Sequence, residues 1–328
     1  MIRIIAEIGS VHDGSLGNAL RLIDAAAEAG ADTVKFQTHI AEAESLPDAP
    51  APGYFSDESR IAYFRRTGFT EEQWQRLAAH AASQCVSFLS SPFSIEAVEL
   101  LERVGVLAYK IPSGEVSNLP LLERVAQTRK PVLLSSGMSD WRELDAAIAA
   151  LRTTCPVTVL QCSSVYPCPP ERVGLNVIPE MRARWGLPVG YSDHTLGFAA
   201  PIAAAALGAS VIEKHFTFSR LMYGSDAKHS TEPTEFRLMA EALRAVWQML
   251  ENPVDKTDAT PYRDMKRIFE KSVVTAAPVR AGTPLSRELL AFKKPGDGIP
   301  ARRYLEVVGR RVRRDLPVDH KLAEGDLE

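Results

Sequence analysis

Two histidines, two lysines and a set of serines fall at the ends of short β-branched or apolar runs. YSDHT carries Ser192 and His194, EKHF carries His215, VKFQT carries Lys35 and Gln37, and YKIPS carries Lys110 and Ser113. AEIGS supplies Glu7, FLSSPF supplies Ser91, LLSSGM supplies Ser135 and Ser136, and QCSSVYP supplies Ser164 and Tyr166. Hydroxyls and ammonium groups suit a phosphate and a carboxylate. Two imidazoles suit a divalent metal with positions left open for water or a substrate oxygen. Glu7 can take a proton or orient a hydroxyl. Each type has a structural use when alone: lysines form ion pairs, serines cap helices, histidines pack. Their coincidence at one rim points to a site.

That rim requires a particular scaffold. Strands are expected at Arg3–Gly9, Thr33–His39, Ser87–Phe93, Ala108–Ser113, Pro131–Gly137, Val157–Ser164, Pro188–His194 and Val211–Phe216. Amphipathic stretches lie between them, at Leu16–Gly30, Asn118–Lys130, Trp141–Arg152, Gly197–Gly208 and Pro233–Leu250. Eight strand–helix units predict a (β/α)8 TIM barrel, whose site sits at the carboxyl ends of the strands. A doubly wound sheet would show a glycine-rich fingerprint after the first strand, and IAEIGSVHDG is not one. Ile40–Gly68 is a long connection with Tyr54, Phe55, Tyr63 and Phe64, expected at the rim or an interface. Thr70 and Gln73 have capping-box spacing.

The barrel is expected over residues 1–255, a linker over 256–271 and a small β-rich domain over 272–328. In the tail, PVRAGTPLSRELL and LPVDHKLAEGDL resemble each other, with Leu285/Leu290 matching Leu322/Leu327. So small a module is expected to lean on a partner surface. The chain has 328 residues, 45% hydrophobic and 24% charged, with a formal net charge of −3. No general basic field supports a nucleic-acid partner, and no apolar run reaches the roughly 20 residues that cross a bilayer. Cys85, Cys155, Cys162 and Cys168 show no CxxC spacing, so a reduced, cytoplasmic protein is expected. Arg310–Arg314 reads as a solvated or interface strand.

The strings AEIGSVHDG, ADTVKFQTH, FLSSPFS, YKIPSGEVSNLPLLE, PVLLSSGM, LQCSSVYPCPP, VGYSDHTLG, ALGASVIEKHFTFSR and SDAKHSTEP, in this order, resemble the N-acetylneuraminate synthase family. The tail, with KKPGDGI, resembles that family's antifreeze-like (SAF) domain. The resemblance implies a phosphoenolpyruvate-dependent C–C bond-forming transferase. It would act on an N-acetylmannosamine-like aldehyde with manganese or magnesium, as a domain-swapped homodimer. His194 and His215 match the metal-binding histidines. Lys35, Ser91, Lys110, Ser113, Ser135 and Ser192 match positions that bind phosphoenolpyruvate, with Ser136 and Ser164 beside them. Glu7, Gln37, Tyr166 and Asp226 match positions that handle the sugar or a proton. Lys294 stands where many members place an arginine that reaches the sugar's N-acyl group in the partner subunit, and His229 stands where many have a small residue. The alternatives are a legionaminic or pseudaminic acid synthase acting on a diacetamido-trideoxy hexose, and a Schiff-base aldolase using Lys110 or Lys35.

Overall fold

In a computed structural model, residues 1–50 and 58–328 are described; Tyr54 and Phe55 lie outside them. The described chain forms two compact units, Met1–Asn252 and Pro253–Glu328.

The first unit is a closed barrel of eight parallel strands in sequence order. They are β1 (Arg3–Gly9), β2 (Thr33–Thr38), β3 (Ser87–Pro92), β4 (Tyr109–Ile111), β5 (Val132–Ser135), β6 (Val157–Cys162), β7 (Val189–Asp193) and β8 (Val211–His215). Its helices are α1 (Leu16–Glu28), α2 (Ala41–Glu44), α3 (Arg60–Thr67), α4 (Glu71–Ser83), α5 (Ile95–Val104) and α6 (Leu119–Thr128), then α7 (Trp141–Leu151), α8 (Val177–Trp185), α9 (Ala199–Ala206) and α10 (Pro233–Glu251). One helix follows each strand in the outer ring, and α2 and α3 are inserted between β2 and α4. Ser15, Thr70, Ser94 and Asp140 cap α1, α4, α5 and α7 with their side chains, and Thr70 and Gln73 form the expected capping box.

Alternation along the strands stacks the barrel interior in layers. Ile5, Leu89, Leu133, Leu160 and Val211, with Ala108 against them, form an apolar plug. Two residues further along the same strands come Glu7, Ser91, Ser135, Cys162, Glu213 and Lys110. The plug therefore seals one end and a polar layer lies directly on it. Gly190 on β7 belongs to the plug layer without a side chain: a Cβ there would meet Leu160 Cδ2 at 2.5 Å and the Val211 carbonyl at 2.7 Å.

The second unit holds α11 (Arg263–Phe269) within the segment expected as a linker, then β9 (Ser272–Thr275), β10 (Leu290–Lys293) and α12 (Tyr304–Val307). β9 and β10 pair antiparallel. The repeated leucines converge: Leu285, Leu290, Leu322 and Leu327 are buried in one cluster with Val273, Val279, Val312 and Leu316. A short 3-10 turn, Arg287–Leu289 or Glu324–Asp326, precedes the second leucine of each pair.

Candidate active site

A cavity of about 460 Å³ opens at the carboxyl ends of the barrel strands. It is lined by Glu7, Lys35, Gln37, Lys110, Ser113, Ser135, Ser164, Tyr166, Ser192, His194, His215 and Asp226, twelve of the fifteen candidates named from sequence.

The polar layer forms the floor. Lys35 and Lys110 are 3% exposed, and Glu213 lies between them. Lys110 Nζ donates to Glu213 Oε1 at 3.2 Å, Lys35 Nζ stands 3.5 Å from the same oxygen, and Ser192 Oγ donates to it at 3.0 Å. Lys35 is also paired with Glu7 at 2.9 Å. The two lysines diverge electrostatically. Burial alone would lower Lys35, but Glu213 and Glu7 outweigh it and hold the ammonium above its ordinary value. Burial dominates at Lys110, where Glu213 opposes it and Lys35 adds to it, so its pKa is depressed. Burial would raise the Glu213 carboxyl, yet Lys110 and Lys35 keep it well below the usual carboxylate range. Ser113 Oγ donates to Ser135 Oγ at 3.2 Å and accepts from the Gly137 N–H at 3.1 Å. A Cβ on Gly137 would fall 2.4 Å from Ser164 Oγ and 2.7 Å from Ser113 Oγ, so this glycine keeps the hydroxyl cradle open.

The two imidazoles stand with ring centroids 5.5 Å apart. His194 Nδ1 donates to the Ser163 carbonyl at 2.8 Å, which leaves Nε2 for another partner. His215 Nδ1 is a buried atom without a hydrogen bond among the described residues. Burial lowers the His215 pKa against Asp226 and Glu7, favouring the neutral ring that a metal needs. Among the described residues no three His, Cys, Asp or Glu groups are arranged to hold a metal. Two neighbouring imidazoles are a donor pair of the kind that, with a divalent ion bound, leaves its other positions to water or substrate. Cys162 Sγ lies 3.8 Å from His194 Nδ1. Burial pushes this thiol up, and His194 and Lys110 bring it down to about 7. His194 is correspondingly raised: burial opposes its charge, and Cys162 and the Ser163 carbonyl prevail.

Gln37 donates to Glu7 Oε1 at 2.8 Å. Ser225 Oγ donates to Asp226 Oδ1 at 3.3 Å. A Cβ on Gly9, which has φ +53°, would fall 2.6 Å from Asp226 Oδ2, so a side chain there would displace the carboxylate. Tyr166 lies 4.0 Å from the His194 ring and is 41% exposed, forming part of the mouth.

Three candidates lie off the cavity wall. Ser91 is fully buried and accepts from Lys35 Nζ at 3.4 Å, so it reaches the cavity only through that lysine. Ser136, next to the inward Ser135, points the other way: it donates to Gln161 Oε1 at 3.2 Å and accepts from the Cys162 N–H. Lys294 belongs to the second unit, with its ammonium 5.0 Å from the Phe269 ring centroid. Sequence reasoning gave Glu213 no role, although alternation with His215 places it inward. It also assigned none to Cys162, His39 or Arg60, which line the cavity. His229 lines it as well.

Comparison with known proteins places the chain. The NeuB family model matches residues 22–255 and the SAF domain model matches residues 270–328. The N,N'-diacetyllegionaminic acid synthase of Campylobacter jejuni is 35% identical over 98% of both chains. The N-acetylneuraminate-9-phosphate synthase of Homo sapiens is 33% identical over 98% of this chain and 91% of its own. A crystal structure of the N-acetylneuraminic acid synthetase of Leptospira borgpetersenii superposes with a TM-score of 0.73 at 29% identity, over 81% of this chain and 90% of that one. The Bacillus subtilis spore coat polysaccharide biosynthesis protein spsE superposes with a TM-score of 0.68 at 31% identity, over 100% of this chain and 95% of that one. With its barrel and its tail each matched, the chain belongs to the NeuB family and ends in a SAF domain.

Proposed function

We propose that the chain condenses phosphoenolpyruvate with the open-chain aldehyde of a 2-acetamido hexose, forming a nonulosonic acid and releasing phosphate. The observation that carries this reading is the layered cavity: two buried lysines and a hydroxyl cradle on the floor, with Glu7 and two imidazoles beside them.

Lys35 and Lys110, with Ser113, Ser135 and Ser192, hold the phosphate and carboxylate of the donor, and Ser91 steadies Lys35. Glu213 gives up part of its pairing to the incoming anion. His194 and His215 would hold the divalent ion. Bound there, manganese or magnesium would supply Lewis-acid polarisation of the acceptor carbonyl. Asp226 and Gln37 orient the sugar hydroxyls, Tyr166 packs on the sugar, and the new C–C bond joins donor C3 to the aldehyde carbon. Glu7 takes the proton of the water that adds at C2, and the C–O bond to phosphate then breaks. Every step uses fixed electrostatics and needs no phosphoryl-enzyme. The active form is a homodimer of the cytoplasm in which the SAF domain of one subunit brings Lys294 to the sugar of the other.

Lys294 in place of arginine, together with 35% identity to a diacetyllegionaminic acid synthase, favours a 2,4-diacetamido-2,4,6-trideoxy hexose over N-acetylmannosamine. Phosphate release from phosphoenolpyruvate and Mn2+ should be measured with N-acetylmannosamine, its 6-phosphate and the diacetamido sugars. Sugar-dependent release, abolished by EDTA and restored by Mn2+, is expected. Release from none of them, or a borohydride-trapped pyruvate adduct on Lys110 or Lys35, would refute the reading.

A further inference from the structure

Along one side of the cavity runs a hydrogen-bonded chain of which the substrate reading uses Glu7 and Gln37 but not His39 or Glu44. The His39 ring is stacked between Phe64 and Phe93, with centroids 3.7 and 4.0 Å away. Its Nδ1 lies 2.8 and 3.0 Å from the two oxygens of Glu44, whose side chain is 3% exposed. Its Nε2 lies 3.1 Å from Gln37 Oε1, and Gln37 Nε2 lies 2.8 Å from Glu7 Oε1. Arg60, 3.9 Å from Glu44, and Asp226 are the other charged groups acting on this imidazole.

Counting hydrogens constrains the chain. Three contacts link Glu44, His39, Gln37 and Glu7, and each needs one hydrogen. A neutral imidazole supplies one, and the amide can turn its NH2 to only one side. With both carboxylates ionised, one contact would set two acceptors face to face inside a buried site. The chain must therefore hold one further proton. With that proton on His39, both ring nitrogens donate and Gln37 turns its NH2 to ionised Glu7. With it on Glu7, the amide turns over and its NH2 faces a neutral ring. Burial draws the His39 imidazole below its ordinary value and Glu44 opposes this. In the resting arrangement Glu7 is ion-paired with Lys35, so the donor count places the further proton at the other end, on the ring or on the Glu44 carboxyl, and in both cases Nε2–H donates to Gln37 Oε1.

We propose that His39 is a positioning residue which, with Glu44 and Gln37, holds one proton and couples its place to the state of Glu7. This rests on Glu7 being the group that takes the proton of the attacking water. His39 touches no reacting atom; it sets which face of the Gln37 amide Glu7 meets.

The test uses the full chain. His39→Phe keeps a ring between Phe64 and Phe93 and removes both N–H groups. Glu44→Gln leaves the ring in place and weakens the hold on the proton. Kinetics are run with phosphoenolpyruvate and Mn2+, with N-acetylmannosamine and 2,4-diacetamido-2,4,6-trideoxymannose in parallel. His39→Phe is expected to lower kcat about tenfold while the KM for phosphoenolpyruvate stays within about twofold. The double variant His39→Phe/Gln37→Leu is expected to be no worse than Gln37→Leu alone, because both remove the same relay. Losses that multiply, or wild-type kcat in both His39→Phe and Glu44→Gln, would overturn the proposal. Imidazole 15N NMR of the wild-type protein at pH 7 reads the chain without turnover. A protonated Nε2 on His39 is expected, and a bare Nε2 would overturn the proposal even if no sugar in the panel is a substrate. A wild type that releases no phosphate refutes the synthase reading alone.

Discussion

At the scale of single residues, the contrast between Lys35 and Lys110 is the most informative feature. They share one carboxylate oxygen, yet Lys35 is raised and Lys110 lowered: burial opposes the charge of both, but Glu7 is paired directly with Lys35, whereas at Lys110 its weaker pull is set against the like charge of Lys35. A lysine must be charged to hold a phosphate, so the depressed group is lost first as pH rises. The KM for phosphoenolpyruvate is expected to climb on the alkaline side at a lower pH than an ordinary lysine would give. Lys110→Arg, always protonated, should flatten that limb while lowering kcat through its altered shape; a KM profile from pH 6 to 10 on both proteins checks this. Gly137 offers a second test at this scale. Gly137→Ala places a methyl group among Ser113, Ser164 and Cys162. The expected result is a roughly tenfold rise in the KM for phosphoenolpyruvate, about 1.4 kcal/mol, with the melting temperature little changed.

At the scale of elements, the eight strands were legible because each is a short apolar run whose inward positions recur with a period of two. Observed strand ends differ from the expected ones mainly by trimming: Ser113, Ser136 and Ser164 fall just past β4, β5 and β6 rather than within them. Ser136 turns away from the cavity because alternation sends it to the face opposite the inward Ser135. Helices α5 and α8 were not singled out from sequence. In α8, Pro179 and the two arginines Arg182 and Arg184 leave only Ile178 and Met181 buried, so its apolar stripe is thin. Glu213 was legible as a rim carboxylate beside His215 but received no role, because a buried acid declares its role only once its partners Lys35, Lys110 and Ser192 are known, and these lie on three other strands. The His39 chain was invisible for the same reason, its members being close in sequence but joined by rings from α3 and the segment after β3.

At the scale of the whole molecule, two units divide the proposed work, and the prediction there concerns subunits. If Lys294 serves the barrel of another copy, two inactive proteins can repair each other. Mixing His215→Ala with Lys294→Ala after joint refolding should restore roughly a quarter of wild-type activity, from the one sound pairing in each mixed dimer. Activity no greater than that of the parents would place Lys294 outside the reaction or in its own subunit's site. The repeated leucine pairs of the second unit, which close one small core from both halves, were legible from the internal resemblance alone.

The apolar plug beneath the polar layer has a kinetic consequence. Among the described residues, Ile5, Leu89, Leu133, Leu160 and Val211 close that end, so traffic passes the mouth at the carboxyl ends of the strands. On the proposed reading, the three-carbon acid bound by the floor lysines must then arrive ahead of the sugar, which would otherwise stand in its path. An inert sugar analogue is expected to act uncompetitively against phosphoenolpyruvate, and a competitive pattern would mean that the two reactants queue in no fixed order.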